Sequence, residues 1–238
     1  EIDVLDETKP ILLVQDTDTR KMYVKKPIPA HNRELYNKLQ AFSFSGIPQI
    51  HEFCETEEGL FLYEDYISGQ TLQTVLDDSF NLPEDAAVDI ICQLCDILSP
   101  LHRCDPPIIH RDIKPENIFV SRFGEFKLGD FGIARELDRS MSGLSKKGTF
   151  SYMAPEMYKG EEYDARVDIY SLGIVLYKLC NHNRLPFISL QKQLITYHDK
   201  ENALNRRMSG EELPMPVQAD KVLSEVILKA CAYDRDER

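Results

Sequence analysis

One stretch of this sequence limits the possible folds more than any other. Ile118-Phe119-Val120 and Phe126-Lys127-Leu128 are short β-prone runs joined by Ser121-Arg122-Phe123-Gly124, so residues 118–128 read as an antiparallel hairpin. With the turn centred on Phe123 and Gly124, facing positions add up to roughly 247, which sets Asn117 opposite Asp130. Opposed Cα atoms lie about 4.5–5.5 Å apart, near enough for an amide oxygen and a carboxylate to grip one hard cation or two neighbouring ones. The expectation is a metal site at the open end of a hairpin.

Asp112 lies on the loop entering this hairpin and brings a third oxygen group to the same space without being a ligand itself. Phosphoryl transfer needs that combination: a metal to neutralise phosphates and a separate carboxylate to orient an incoming hydroxyl. Lys114 adds a positive charge for the migrating group.

Composition narrows the partners. The difference 28 − 40 between basic and acidic residues gives a net charge of −12, which repels a phosphate backbone and argues against nucleic acid. The longest apolar run, Ile169 to Cys180, is interrupted by Ser171, Gly173 and Lys178, so no membrane span is expected. Six cysteines (54, 92, 95, 104, 180, 231) are scattered, mostly in apolar stretches. Reduced, buried thiols in a cytoplasmic setting follow, with any membrane tether left to segments outside this chain. Cys92 and Cys95 form a single CxxC without a second pair, which reads as two small residues on a buried helix face. The chain opens on Glu1 and carries no signal peptide, so it reads as a piece of something longer.

Two composition regimes follow one another. Residues 1–69 read as a β-rich unit with one helix: a hairpin of Ile11–Val14 and Met22–Val24 around Asp16–Arg20, a helix over His31–Ala41, and a strand over Leu60–Ile67. Residues 70–238 read as mainly helical. Pro83, Glu84 and Asp85 open a helix that is apolar on two faces and therefore expected to be buried. Further helices are expected over Val167–Leu179 and Lys221–Cys231.

His110-Arg-Asp-Ile-Lys-Pro-Glu-Asn117 resembles the protein-kinase catalytic loop, Asp130-Phe-Gly132 its DFG motif and Ala154-Pro-Glu156 its APE motif, in the family's order. The resemblance covers about Tyr23 to Arg238 and implies an α+β, bilobal protein-kinase-like fold, with a small N-lobe (1–69) and a larger C-lobe (70–238) whose last helix is truncated. It implies Asp112 as catalytic base, Lys114 as phosphoryl contact, Asn117 and Asp130 as Mg2+ ligands, ATP as donor and a protein hydroxyl as acceptor. Lys114 following Ile113 resembles the Ser/Thr branch, in the style of bacterial eukaryotic-like kinases.

The same resemblance implies further roles. Val24-Lys25 is similar to the strand end bearing the lysine that contacts ATP phosphates, with the adjacent Lys26 as competitor. Glu34 resembles its ion-pair partner, although counting back from Ile47 lands on Leu35 and Glu34 requires a one-residue loop insertion. Asp65-Tyr66-Ile67 resembles the hinge whose backbone pairs with adenine, which puts an acidic Glu64 at the gatekeeper position. Asp168 resembles the buried aspartate beneath the catalytic loop, and Arg238 the partner of Glu156. Ser140, Ser142, Ser145 and Thr149 lie in what resembles an activation segment, and Arg111 the arginine that meets a phosphate placed there. Thr149 also resembles the threonine that lines the substrate site and bonds Asp112.

One family feature is missing. No glycine precedes Gly46, and the stretch where the phosphate-covering loop belongs, Asp3 to Thr8, carries three acids. Cβ atoms and negative charge both oppose close approach of phosphates. Two readings follow: an active Ser/Thr kinase, or a kinase-shaped pseudoenzyme or nucleotide-binding scaffold with little transfer activity.

Overall fold

A computed structural model describes residues 1–6, 10–42, 45–78, 82–122, 124–131 and 149–238, with only the backbone of His31 and Thr149. It divides into two compact units, residues 1–70 with 119–129, and residues 71–118 with 130–238.

The first unit is built on an antiparallel five-stranded sheet. Strands β1 (Asp3–Asp6), β2 (Ile11–Gln15), β3 (Met22–Ile28), β4 (Ile50–Thr56) and β5 (Gly59–Asp65) are ordered β1-β2-β3-β5-β4. The expected hairpin of β2 and β3 forms, with Leu12 opposite Lys25 and Gln15 opposite Met22. Its turn is closed by the Asp16 carboxylate, which accepts the N–H groups of Asp18 (3.0 Å) and Thr19 (2.6 Å) and the Thr19 hydroxyl (2.8 Å). These donors hold the Asp16 carboxyl below its ordinary pKa. Helix α1 (Arg33–Ala41) is preceded by a short 3-10 turn and buries Tyr36 and Leu39, which share one face. Strand β5 stops at Asp65, two residues short of the expected end.

The hairpin expected over residues 118–128 forms with an altered register. Strands β6 (Gly69–Thr71), β7 (Ile118–Ser121) and β8 (Phe126–Leu128) make a three-stranded sheet in that order. The Ser121 N–H donates to the Glu125 carbonyl (2.8 Å) and the Gly124 N–H to the Ser121 carbonyl (3.0 Å). Gly124 has φ +79°, the left-handed conformation that a three-residue hairpin loop with a bulge requires. Facing positions therefore sum to 121 + 125 = 246, one less than expected, and the count from Asn117 falls one residue before Asp130. The Leu128 N–H donates to the Gly46 carbonyl at 2.8 Å, tying the hairpin into the first unit.

The second unit contains α2 (Leu72–Asp78), α3 (Glu84–His102), α4 (Pro155–Lys159), α5 (Arg166–Leu179), α6 (Tyr197–Met208) and α7 (Lys221–Ala230). Helix α5 is its axis, buried over nearly its whole length, with α3 and α7 packed against it. Close packing with α7 depends on Gly173: a Cβ there would meet Cys231 Sγ at 2.7 Å and Ala230 Cβ at 2.9 Å. Helix α3 corrects an expectation. Ala87, Ile90, Leu94, Ile97, Leu98 and Leu101 form one buried stripe at helical spacing, whereas Cys92 and Cys95 are exposed. Only Cys180 and Cys231 among the six free thiols are buried. Burying a leucine such as Leu94 stabilises the unit by about 1.5–3 kcal/mol.

Helix α6 opens with a capping box between Thr196 and Asp199, and α7 with Asp220 accepting the Leu223 N–H at 2.7 Å. Arg238 and Glu156 make a two-pronged ion pair, Nη1 to Oε1 at 2.5 Å and Nη2 to Oε2 at 2.9 Å, as the resemblance implied. Among the described residues no helix is long and apolar enough to cross a membrane.

Candidate active site

The loop before β7 is fastened from beneath by one carboxylate. Asp168, fully buried on α5, accepts the His110 N–H on Oδ2 and the Arg111 N–H on Oδ1, each at 2.8 Å, and lies 2.8 Å from His102 Nε2. Ile113 and His110 are also fully buried, with the His110 ring centroid 4.7 Å from that of Phe131. Asp112 lies between these anchored residues and keeps 13% of its side chain exposed. Arg111 and Asp130 both sit at positive φ, +69° and +49°, a backbone cost that non-glycine residues bear where surrounding structure holds them.

Three of the expected catalytic side chains converge on one point. Lys114 Nζ lies 2.9 Å from Asp112 Oδ2, and the Asn117 amide donates to the same oxygen at 3.0 Å and to the Asp112 carbonyl at 2.8 Å. Both amide hydrogens of the buried Asn117 are thus committed to Asp112, leaving its Oδ1 as a free acceptor among the described residues. Asp130 is half-buried and its carboxylate also takes no hydrogen bond among the described residues. An amide oxygen and a carboxylate, both without donors, fit a hard cation such as Mg2+.

The lysine of the nucleotide side is placed differently from expectation. Lys25 directs its Nζ to 4.8 Å from the Phe61 ring centroid. Lys26, on the opposite face of β3, is buried and lies 2.8 Å from Glu64 Oε1, side-chain exposures being 9% and 12%. Glu34 is 85% exposed and pairs with Lys38 at 3.7 Å. The expected Lys25–Glu34 pair is therefore not formed. Strand alternation decides this outcome: Val24 faces Glu64 and Lys26 faces Leu62, so residues 24, 26 and 64 share one face of the sheet.

Other expected residues are dispersed. Asp65 ends β5, with Oδ1 2.7 Å from His51 Nε2 and 3.2 Å from Lys21 Nζ, which hold its carboxyl below the ordinary range despite partial burial. Ile67 follows outside any strand. Arg111 places its guanidinium 5.4 Å from the Tyr163 ring centroid, and its buried Nε takes no hydrogen bond among the described residues. Thr149 begins a 3-10 turn, while Ser140, Ser142 and Ser145 lie outside the described residues. Of the stretch expected to cover phosphates, Asp3–Asp6 is strand β1, and residues 7 and 8 also lie outside the described residues.

The family model for the protein kinase domain matches residues 11–238. The serine/threonine-protein kinase PknB of Mycobacterium leprae is 34% identical over 191 residues, a match covering 78% of this chain and 29% of that protein. The serine/threonine-protein kinase PknB of Mycolicibacterium smegmatis is 34% identical over 192 residues, covering 78% of this chain and 29% of that protein. This chain thus spans less than a third of the length of these relatives. It belongs to the protein kinase family, and the proteins it resembles include bacterial Ser/Thr kinases of eukaryotic-like type.

Proposed function

We propose that this chain is the catalytic domain of a Ser/Thr protein kinase that moves the γ-phosphoryl group of ATP to a protein hydroxyl. The N-lobe is taken as residues 1–69 and the C-lobe as 70–238. The observation that carries the reading is the convergence of Lys114 and Asn117 on Asp112 Oδ2 above a loop fixed by Asp168. Asp112 accepts a hydrogen bond from the incoming hydroxyl and takes up its proton, which fixes the line of attack. Lys114 balances the Asp112 charge and faces the transferred group. Asn117 and Asp130 would hold Mg2+, which neutralises charge on the phosphates when bound. The backbone of Asp65 and Ile67 is assigned to adenine.

A protein acceptor is supported by a cavity of about 790 Å3 in the second unit, lined among others by Glu116, Ser151, Tyr152, Lys178 and Tyr197. Of these, Glu116 directly precedes Asn117 in the chain. Regulation is assigned to Arg111 together with Ser140, Ser142, Ser145 and Thr149. The Arg111 guanidinium, 5.4 Å from the Tyr163 ring centroid, has an Nε–H without a partner among the described residues, which suits a phosphate, and phosphopeptide mapping after incubation with ATP and Mg2+ tests it. A cytoplasmic location suits free thiols and an ATP supply.

The test is ATP-dependent phosphorylation of a protein substrate by the chain and by its Asp112→Ala and Asp130→Ala variants. Activity confined to the parent chain is expected. Equal signal from all three overturns the enzyme reading and leaves the scaffold.

A further inference from the structure

Lys26 and Glu64 form a mostly buried ion pair within the sheet, at 2.8 Å. Strands β3 and β5 are paired residue for residue from Tyr23 opposite Asp65 to Ile28 opposite Leu60. Lys26 and Glu64 are diagonal neighbours on that ladder, a separation two long side chains span readily. The helix that covers this face offers Lys26 a neutral group: the Tyr36 ring centroid is 5.9 Å from Lys26 Nζ. Glu34 on the same helix is committed to solvent and Lys38. Removing one member of such a pair strands the other charge away from water, so each side chain fixes the other's position.

We propose that Lys26, not Lys25, meets the ATP phosphates, and that Glu64 on β5 is the positioning residue that aims it, in place of a glutamate on helix α1. The inference rests on the kinase reading above and deepens it. The lysine is aimed from inside one hydrogen-bonded sheet, so movement of helix α1 does not release it. With no glycine upstream of Gly46, a cation held this rigidly fixes the phosphates without help from a glycine-rich turn.

Two measurements test this. An acyl phosphate of ATP bound to the chain delivers its acyl group to the neighbouring lysine: the ε-amine attacks the carbonyl, an amide forms and ATP leaves. Fragment-resolved mass spectrometry is expected to find the amide on Lys26. Glu64→Gln is expected to lower labelling and kcat/KM for ATP by roughly tenfold or more, with partial recovery in Glu64→Asp. Because Glu64 acts through Lys26, adding Glu64→Gln to Lys26→Met costs nothing further. A label on Lys25, losses that multiply in the double variant, or loss from Glu34→Gln with none from Glu64→Gln overturns the proposal. A parent chain labelled and active, yet indifferent to Glu64→Gln, ends this inference alone. A parent chain that neither takes the label nor phosphorylates ends both readings.

Discussion

The carboxylate of Asp168 receives the backbone N–H of Arg111 at 2.8 Å across 57 residues of sequence, and the neighbouring His110 N–H binds its other oxygen. The loop at 110–117 is thus positioned by α5. An asparagine at 168 supplies one acceptor oxygen and sets N–H groups against N–H groups on the other side. Asp168→Asn is expected to lower kcat roughly a hundredfold, the scale of a 1 Å misplacement, while KM for ATP changes little. Steady-state kinetics at varied ATP checks it.

Asn117 donates both amide hydrogens to Asp112 and keeps Oδ1 without a donor among the described residues. Asn117→Ala should therefore raise the Mg2+ concentration needed for half-maximal activity and also lower activity at saturating Mg2+, because Asp112 loses a restraint. A Mg2+ titration of phosphorylation shows both effects, and chelation by EDTA should abolish activity reversibly in the parent chain.

Arg238 and Glu156 are almost fully enclosed, with side-chain exposures of 0% and 6%. Arg238→Ala leaves a carboxylate without its partner in a dry setting and is expected to cost about 3–5 kcal/mol. The Arg238→Met, Glu156→Met double variant should recover much of that loss. Urea unfolding of the three proteins measures the difference.

Asp164 accepts three side-chain N–H contacts from Arg166 and the Arg166 backbone N–H, and the guanidinium holds its pKa down to about 2. A carboxylate depressed on folding stabilises above its unfolded pKa near 3.8 and loses that contribution as pH falls through about 2. Asp164 is 51% exposed, so solvent limits the gain to roughly 0.5–1 kcal/mol. The stability gap between the parent and Asp164→Asn should be constant from pH 7 to about 5 and shrink below 4 in urea melts.

The loop at 110–117 was readable because its chemistry is packed into eight consecutive residues, which keeps Asp112, Lys114 and Asn117 close along the chain, whereas its anchor Asp168 lies 57 residues away. The hairpin register was off by one because Gly124 adds a bulged residue that strand periodicity does not count. The choice between Lys25 and Lys26 depends on which face of β3 is covered, and that is set by pairing with β5 far along the chain. Strand β4 escaped notice because Ile50 is its one buried residue and the rest mixes His, Glu and Thr with half-exposed apolar groups. Helix α6 buries only Ala203, Arg207 and Met208, so its apolar period is faint, although Thr196 and Asp199 mark its start.

The seam between Gly173 and Cys231 also silences a thiol. Burial pushes the Cys231 pKa up to about 12, so the nucleophilic thiolate is scarce at neutral pH. On the α5 side the sulfur is already hemmed in, since a methyl carbon on residue 173 would lie 2.7 Å from it. Oxidants meeting the folded chain will instead be intercepted by the outward-facing Cys92 and Cys95, and damage at Cys231 will report that the helical unit has already come open.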